Sequence, residues 1–454
     1  MTSKPTASIL KTEIFRRTFR RLASPFQQVP ALGWLIAGLV VALLELFFGE
    51  ILANLMGLDK LPALFGSLII FRKPSFEFPF IFNDLGVIGA VIMYDLLIYA
   101  IPFFLVAWLA KGLANKLSWL IYKRSTWISV LFHIVLLYIV LRIWTDISTY
   151  RELVTRLTMI AVIVTLSLNV INGYMGEFST SHPGFMAVGA YVTSVFTIAL
   201  FTNSNYFGDA KLPASWAPFL FPIALLLGGA VASVSALIVA IPSFRTRGDY
   251  LAIISLAFMF IVKSFFENLE VVGGPRGLGG QPDLASFPVI FVWMALGIWI
   301  INNFVRSTLG KALNAVRDDE LAADAMTVNT RKTKMTAFLF GAFWAGLAGG
   351  LLAHVLRYIN PGSFALQKLA EVLAMVYFGG LNSVLGSIVG AVSINLLGEA
   401  LRPLELYKWI VIPVILILVM IYRPTGLIAF REFDMADIVK PKDMSMMEGD
   451  DATS

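Results

Sequence analysis

Ionisable residues of both signs crowd one stretch of the sequence, Ser307 to Lys334, which reads STLGKALNAVRDDELAADAMTVNTRKTK. It is rich in good helix formers. Ser307 or Thr308 is placed to cap a first short helix. Asp318 is placed to cap a second, with Asp319 and Glu320 in its first turn, where acidic side chains suit the helix dipole. Long apolar runs flank it on both sides, so the stretch is built to stand in water and be touched. Two readings follow from the residues alone, a docking handle for a partner or a solvated connector.

A second polar interruption is Asn169 to Tyr191, NVINGYMGEFSTSHPGFMAVGAY. Glycines 173, 176, 184 and 189, with Pro183, break an apolar stretch that carries Glu177, Ser179, Thr180, Ser181 and His182. Non-helical backbone at membrane depth survives only when packed in protein or lining a water-filled cavity. Asn169, Asn172, Glu177, Ser179 and His182 are therefore candidates for a solute path or gate, against the plainer reading of a short turn between helices.

Other chemistries are poorly served. The chain has no cysteine, which excludes disulfides, thiolate metal sites and thiol nucleophiles. The histidines at 133, 182 and 354 are far apart, and no spacing suggests a metal site. Gly310-Lys311 lacks the preceding glycine of a phosphate-binding loop and is followed by Ala312, so ATP is not bound through that motif. The glycines of VVGGPRGLGGQP, Val271 to Pro282, suit a tight external turn with a possible docking role. Glu45, Asp95 and Lys263 lie as isolated charges within apolar runs, where ionisable residues are functional candidates by default. They form no row of carboxylates for a proton relay, and Lys263 is placed to snorkel.

The elements that must position these residues are membrane-spanning helices. Of the residues, 58% are hydrophobic and 14% charged, with a mean hydropathy of +0.80; soluble domains average about 25% charged. Apolar runs of about 18 or more residues cross the hydrocarbon core, and no barrel-like alternation is present. The fold class is all-α, a polytopic helical membrane protein of about 10–11 hydrophobic segments. They fall at 31–56, 86–110, 127–145, 157–172, 183–202, 218–242, 250–268, 287–305, 334–357, a broken segment at 369–400, and 405–422. Arg16, Arg17, Arg20 and Arg21 precede the first, which reads as a retained helix rather than a cleaved signal. Lys111, Lys116, Lys123 and Arg124 read as one cytoplasmic loop. Arg245 with Arg247, the stretch Arg306 to Lys334, and Arg423 with Arg431 read likewise, by the excess of basic residues on that face. The net charge of +6 reflects these loops, not a nucleic-acid partner. Both termini fall in the cytoplasm if 369–400, broken at Gly379-Gly380 and Gly386, enters and leaves by one face. Gly346 with Gly350, and Gly386 with Gly390, form small-residue pairs for close helix packing. Residues 57–85 and 203–217 read as external loops, and Glu448 to Ser454 as a disordered end.

SLNVINGYMGEFSTSHPGFMAVGAY, RTRGDYLAIISLAF with VVGGPRGLGG, LGKALNAVRDDELAADAM with TAFLFGAFWAGLAGGLLA, EVLAMVYFGGLNSVLGSIVGA and YRPTGL together resemble the LivM family of branched-chain amino acid ABC transporter permeases. The resemblance covers roughly residues 155–430, a permease core. Around it lie a cytoplasmic N-terminal segment at 1–30, an extension of about three helices at 31–150, and a cytoplasmic tail at 431–454. The resemblance implies a type II-importer-like permease in the inner membrane. It would pair with a LivH-like permease subunit, two cytoplasmic ATPase subunits and a periplasmic amino-acid-binding protein. It implies no cofactor, no metal and no catalysis by this chain. It also implies that Ser307–Lys334 is the segment seated in the ATPase groove, with Arg317, Asp318, Asp319, Glu320, Ala322 and Ala323 at the motif positions. Glu177-Phe178-Ser179 and Pro183 depart from the family pattern, which leaves an amide, urea or other small solute in view. A secondary ion-coupled carrier and a membrane-embedded enzyme are the rival classes. The first would need intramembrane carboxylates or an ion site, the second a His, Asp, Glu or Ser constellation.

Overall fold

Lipid supplies no hydrogen bonds, so a chain this apolar must satisfy its backbone within each spanning element. The computed structural model describes residues 26–58, 61, 85–204, 207–245, 250–402, 408–423, 425–430 and 433–442. Among the described residues nine helices are long and apolar enough to cross a membrane, and the chain is a multi-pass membrane protein. The arginines at 16–21, most of the external loop at 57–85, Arg247, Arg431 and the end from Glu448 lie outside the described residues.

The chain divides into two compact units, residues 1–151 with 434–454, and residues 152–433. In the first, α1 (Ala31–Leu55) packs on α3 (Ile101–Arg124) and α4 (Thr126–Asp146), while α2 (Leu85–Tyr94) leads into α3 through a π-helical turn at Asp95–Ala100. Gly33, Ala37, Ala107 and Ala114 are buried, and Ala114 lies 3.4 Å from where a Cβ on Gly33 would sit. Small side chains thus let α1 and α3 approach closely. Lys111, Lys116, Lys123 and Arg124, expected in one loop, all lie on α3, which Gly112 does not break; the connection to α4 is Ser125.

Glu45 is not isolated. Its carboxylate lies 2.5 Å from Arg151 Nη2 and accepts from the Tyr99 hydroxyl at 2.7 Å and the Tyr94 hydroxyl at 3.4 Å. The Arg151 guanidinium also stacks over Trp144, 5.1 Å from the ring centre. Both charged side chains are fully buried, as a charge within apolar surroundings requires a partner. Nor is Lys263 alone, since it lies 3.6 Å from Glu267 one helical turn on.

The second unit begins with α5 (Thr149–Asn169, shared at its first turn with the first unit), which runs into a π-helical turn at Val170–Met175. Then come α6 (His182–Phe201), α7 (Ala217–Ser243), α8 (Tyr250–Glu267), α9 (Phe287–Arg306), two short helices α10 (Thr308–Asp318) and α11 (Glu320–Ala325), and α12 (Thr330–Leu356). Helices α6, α7 and α12 form its centre. Their contact is glycine-lined: a Cβ at Gly189 would overlap the Gly346 carbonyl, and one at Gly346 would overlap Ala232. The broken segment is two helices, α13 (Leu366–Gly379) and α14 (Val384–Ala400), folded back on each other; a Cβ at Gly379 would overlap the Gly386 carbonyl. At ~1.5 Å per residue each is shorter than the hydrocarbon core. Helix α15 (Lys408–Tyr422) follows.

The unit has two distinct ends. At one, β1 (Leu278–Gly279) pairs antiparallel with β2 (Tyr358–Ile359), and the Tyr358 hydroxyl donates to the Arg276 carbonyl. The turn at 271–282 is therefore tight, as expected, with Gly273, Gly274, Gly277 and Gly280 all at positive φ. At the other end the π-helical turn, residues 176–181 and α10–α11 meet. After residue 433 the tail returns to the first unit, where α16 (Met435–Val439) packs on α4 and α1, and Lys442 N–H donates to Asn115.

Candidate functional site

The charged stretch folds as two capped helices. Ser307 Oγ accepts from Gly310 N–H at 3.4 Å and starts α10. Asp318, the expected second cap, instead ends α10 with helical backbone. Asp319 is the cap: its extended backbone (φ −157°, ψ 106°) interrupts the helix, and its carboxylate accepts from Leu321 and Ala322 N–H at 2.9 and 3.0 Å. A free carboxylate satisfies the first orphan donors of α11 only from the residue where the chain turns, and that residue is Asp319.

The two helices show opposite faces. Gly310, Leu313, Val316 and Ala323 are buried inward. Leu321 and Met326 are 71% and 76% exposed, and Ala322 is exposed beside them. Apolar side chains held out on a capped helix offer a compact surface for another protein.

Two long side chains tie this pair to the polar interruption. Arg317 Nη1 donates to the Gly173 carbonyl at 3.3 Å, pairs with Asp318 at 2.8 Å, and stacks over Phe430 at 5.5 Å. Gly176 at φ +76° lies beneath it, and a Cβ there would overlap Arg317 Cγ. Glycine is thus required both by the left-handed backbone and by the contact. Lys334, in the first turns of α12, bridges two carboxylates: its Nζ lies 2.7 Å from Glu177 and 2.8 Å from Glu320. Its side chain is 11% exposed. A nearly buried ammonium with two carboxylates is satisfied on geometry that either acid alone would leave incomplete. Lys334 joins the two short helices to the interruption, a link the sequence does not show. No spacing could have found it, since 157 positions separate it from Glu177.

The remaining residues of the interruption hold backbone. Asn169 donates to Ser387 Oγ at 2.6 Å and the Ser383 carbonyl at 2.9 Å, and accepts from Asn382 N–H at 3.1 Å. It thereby fastens the end of α5 to the break between α13 and α14. Asn172 accepts from Ser179 N–H at 3.2 Å, and Ser179 Oγ meets Ser181 Oγ at 2.9 Å. Thr180 bonds Ser255 of α8 through its N–H at 3.0 Å and its hydroxyl at 2.9 Å. His182 opens α6, fully buried, with the Ser167 backbone beside it. Buried irregular backbone must find such partners, and Asn172 and Ser255 supply them for the N–H groups of Ser179 and Thr180.

Comparison with known proteins agrees with this architecture. The family model described as branched-chain amino acid transport system / permease component matches residues 150–420. The high-affinity branched-chain amino acid transport system permease protein LivM of Escherichia coli (strain K12) is 32% identical over 310 residues, covering 61% of this chain and 69% of LivM. LivH of the same organism is 25% identical over 287 residues, covering 60% of this chain and 92% of LivH. BraD of Pseudomonas aeruginosa is 31% identical over 150 residues, covering 32% of this chain and 48% of BraD. No solved structure matches the chain. With helical spans, a capped handle and a family match over most of the second unit, the chain belongs to the branched-chain amino acid transport system permease family and is a transport subunit.

Proposed function

We propose that the chain is the membrane-embedded half of an ATP-binding cassette importer for branched-chain amino acids, in the inner membrane with both termini in the cytoplasm. Its partners are a LivH-like second permease, two cytosolic ATPase subunits that hydrolyse ATP, and a periplasmic protein that delivers the amino acid. The observation that carries the reading is the bridge made by Lys334 between Glu320 on the exposed handle and Glu177 in the polar interruption.

The physical sequence runs from the handle inward. Closure of the two ATPases displaces α10–α11 as one capped body. Arg317 and Lys334 convey the displacement to Gly173, Gly176 and Glu177, because those contacts are ionic or sterically tight. Residues 170–181 are joined through Asn169 to the α13–α14 break and through Thr180 to α8, so neighbouring helices shift with them. The motor biases a two-state equilibrium between inward and outward openings. Asp318, Asp319, Glu320 and Ala322 act at the ATPase contact, Arg317 and Ala323 hold the same segment from its inner side, and Glu177 is the point where the movement reaches the polar interruption.

Reversing the charge at Asp318 and Glu320 together (Asp318→Lys with Glu320→Lys) sets a lysine against Lys334 and removes the acid beside Arg317. Uptake and ATPase stimulation are expected to be lost while the chain remains in the membrane. Wild-type uptake and stimulation would dispose of the reading. Uptake that persists without ATP on a proton or sodium gradient would place the chain among secondary carriers.

A further inference from the structure

A cavity of about 140 Å³ lies within the second unit, between α5, α12 and the α13–α14 hairpin. Its two ends differ in chemistry. Lys368 and Glu371, from the start of α13, meet Asn395 and Glu399, from the end of α14, at the mouth. These helix ends lie toward the β1–β2 pair, opposite the handle. Ala161, Val164, Met186 and Met375 line the deeper part.

The polar groups at the mouth already have partners. Lys368 Nζ is 3.0 Å from Glu371, Glu399 is 3.5 Å from Arg402, and Asn395 donates to Thr158 Oγ1 at 2.9 Å. The Lys368 and Glu371 side chains keep 24% and 36% of their exposure, so they can exchange partners without leaving a charge stranded. A zwitterion suits such a pair. Its carboxylate takes Lys368 and its ammonium takes Glu371 or Glu399, and the net charge of the site is unchanged. A solute with one charge would leave one member of the Lys368–Glu371 pair without a counter-ion, at a mouth that is only partly exposed. A cavity of this size holds a ligand of about the bulk of benzene, the scale of an aliphatic side chain.

We propose that this cavity is a resting site for a zwitterionic amino acid in transit, its carboxylate on Lys368, its ammonium between Glu371 and Glu399, and its aliphatic side chain against Ala161, Val164 and Met375. The proposal rests on the amino-acid reading above and adds where the chain holds the solute. Asn169, Asn172, Glu177, Ser179 and His182 do not line it, which separates holding from coupling: they transmit movement, and the cavity contacts solute.

Because the chain has no cysteine, Ala161→Cys places a single thiol in this chain at the cavity wall. The full chain, produced with its partner subunits, is treated in membranes with a small methanethiosulfonate reagent, and adduct on this chain is read by mass. Leucine is expected to slow labelling at least about tenfold, while leucinamide, which lacks the carboxylate, is not. Lys368→Gln in the same background should abolish leucine protection, and Lys368→Arg should retain it. Wild-type leucine uptake is measured alongside. Uptake present with no protection overturns the site and leaves the amino-acid reading standing. Protection without uptake supports the site and overturns the transport reading. Neither uptake nor protection overturns both. Equal protection by leucinamide overturns the zwitterion assignment.

Discussion

At the scale of single residues, the strongest electrostatic feature outside the handle is the Glu45–Arg151 pair, buried with two tyrosine hydroxyls in the first unit. Removing one member of a buried pair leaves the other uncompensated, at about 3–5 kcal/mol, whereas replacing both by apolar residues of similar size is far cheaper. Glu45→Ala and Arg151→Ala should each lower the thermal unfolding midpoint of the detergent-solubilised protein markedly, and Glu45→Leu with Arg151→Met should recover most of the loss. Single variants that melt with the wild type would show that the pair holds nothing together. Neither this pair nor Lys334 was legible in the sequence. Glu45 and Arg151 are 106 positions apart, and a charge inside an apolar run looks isolated until the helix that faces it is known. Sequence periodicity reports which face of a helix is apolar, not which distant residue completes a charge.

At the scale of elements, local rules served better. The two short helices in Ser307–Lys334, the break at Gly379-Gly380 and the tight turn at 271–282 were all readable, because caps, glycine pairs and turn residues act within a few positions. The errors were also local. With Asp318 and Asp319 adjacent, composition does not say which one leaves helical backbone, and Lys111 and Lys116 read as a loop although apolar residues continue the helix around them. The cap itself is testable. Asp319→Ala removes the acceptor for Leu321 and Ala322 N–H, at about 0.5–2 kcal/mol, enough to fray a six-residue helix. Uptake and ATPase stimulation should fall severalfold with the chain still inserted, and Asp319→Asn should preserve most of both. If Asp319→Ala transports as the wild type does, α11 need not be ordered for coupling.

At the scale of the whole molecule, the family match begins at residue 150, while α1–α4 precede it. Composition announced the membrane class, and the order of apolar runs and basic loops gave a threading. The division into two units was less accessible, because the tail from Asp434 belongs with the N-terminal helices, and chain order does not show that return. The proposed coupling depends on sidedness: α10–α11 of the second unit would have to face the compartment that holds the proposed ATPases. Leu321, 71% exposed on α11, is the place to ask. With Leu321→Cys as the single thiol of this chain, a membrane-impermeant maleimide should leave it unmodified in intact cells and label it in inside-out vesicles, with the ATPase subunits shielding it when bound. Labelling from outside intact cells would put the handle beyond the motor's reach and contradict the coupling proposed for Lys334.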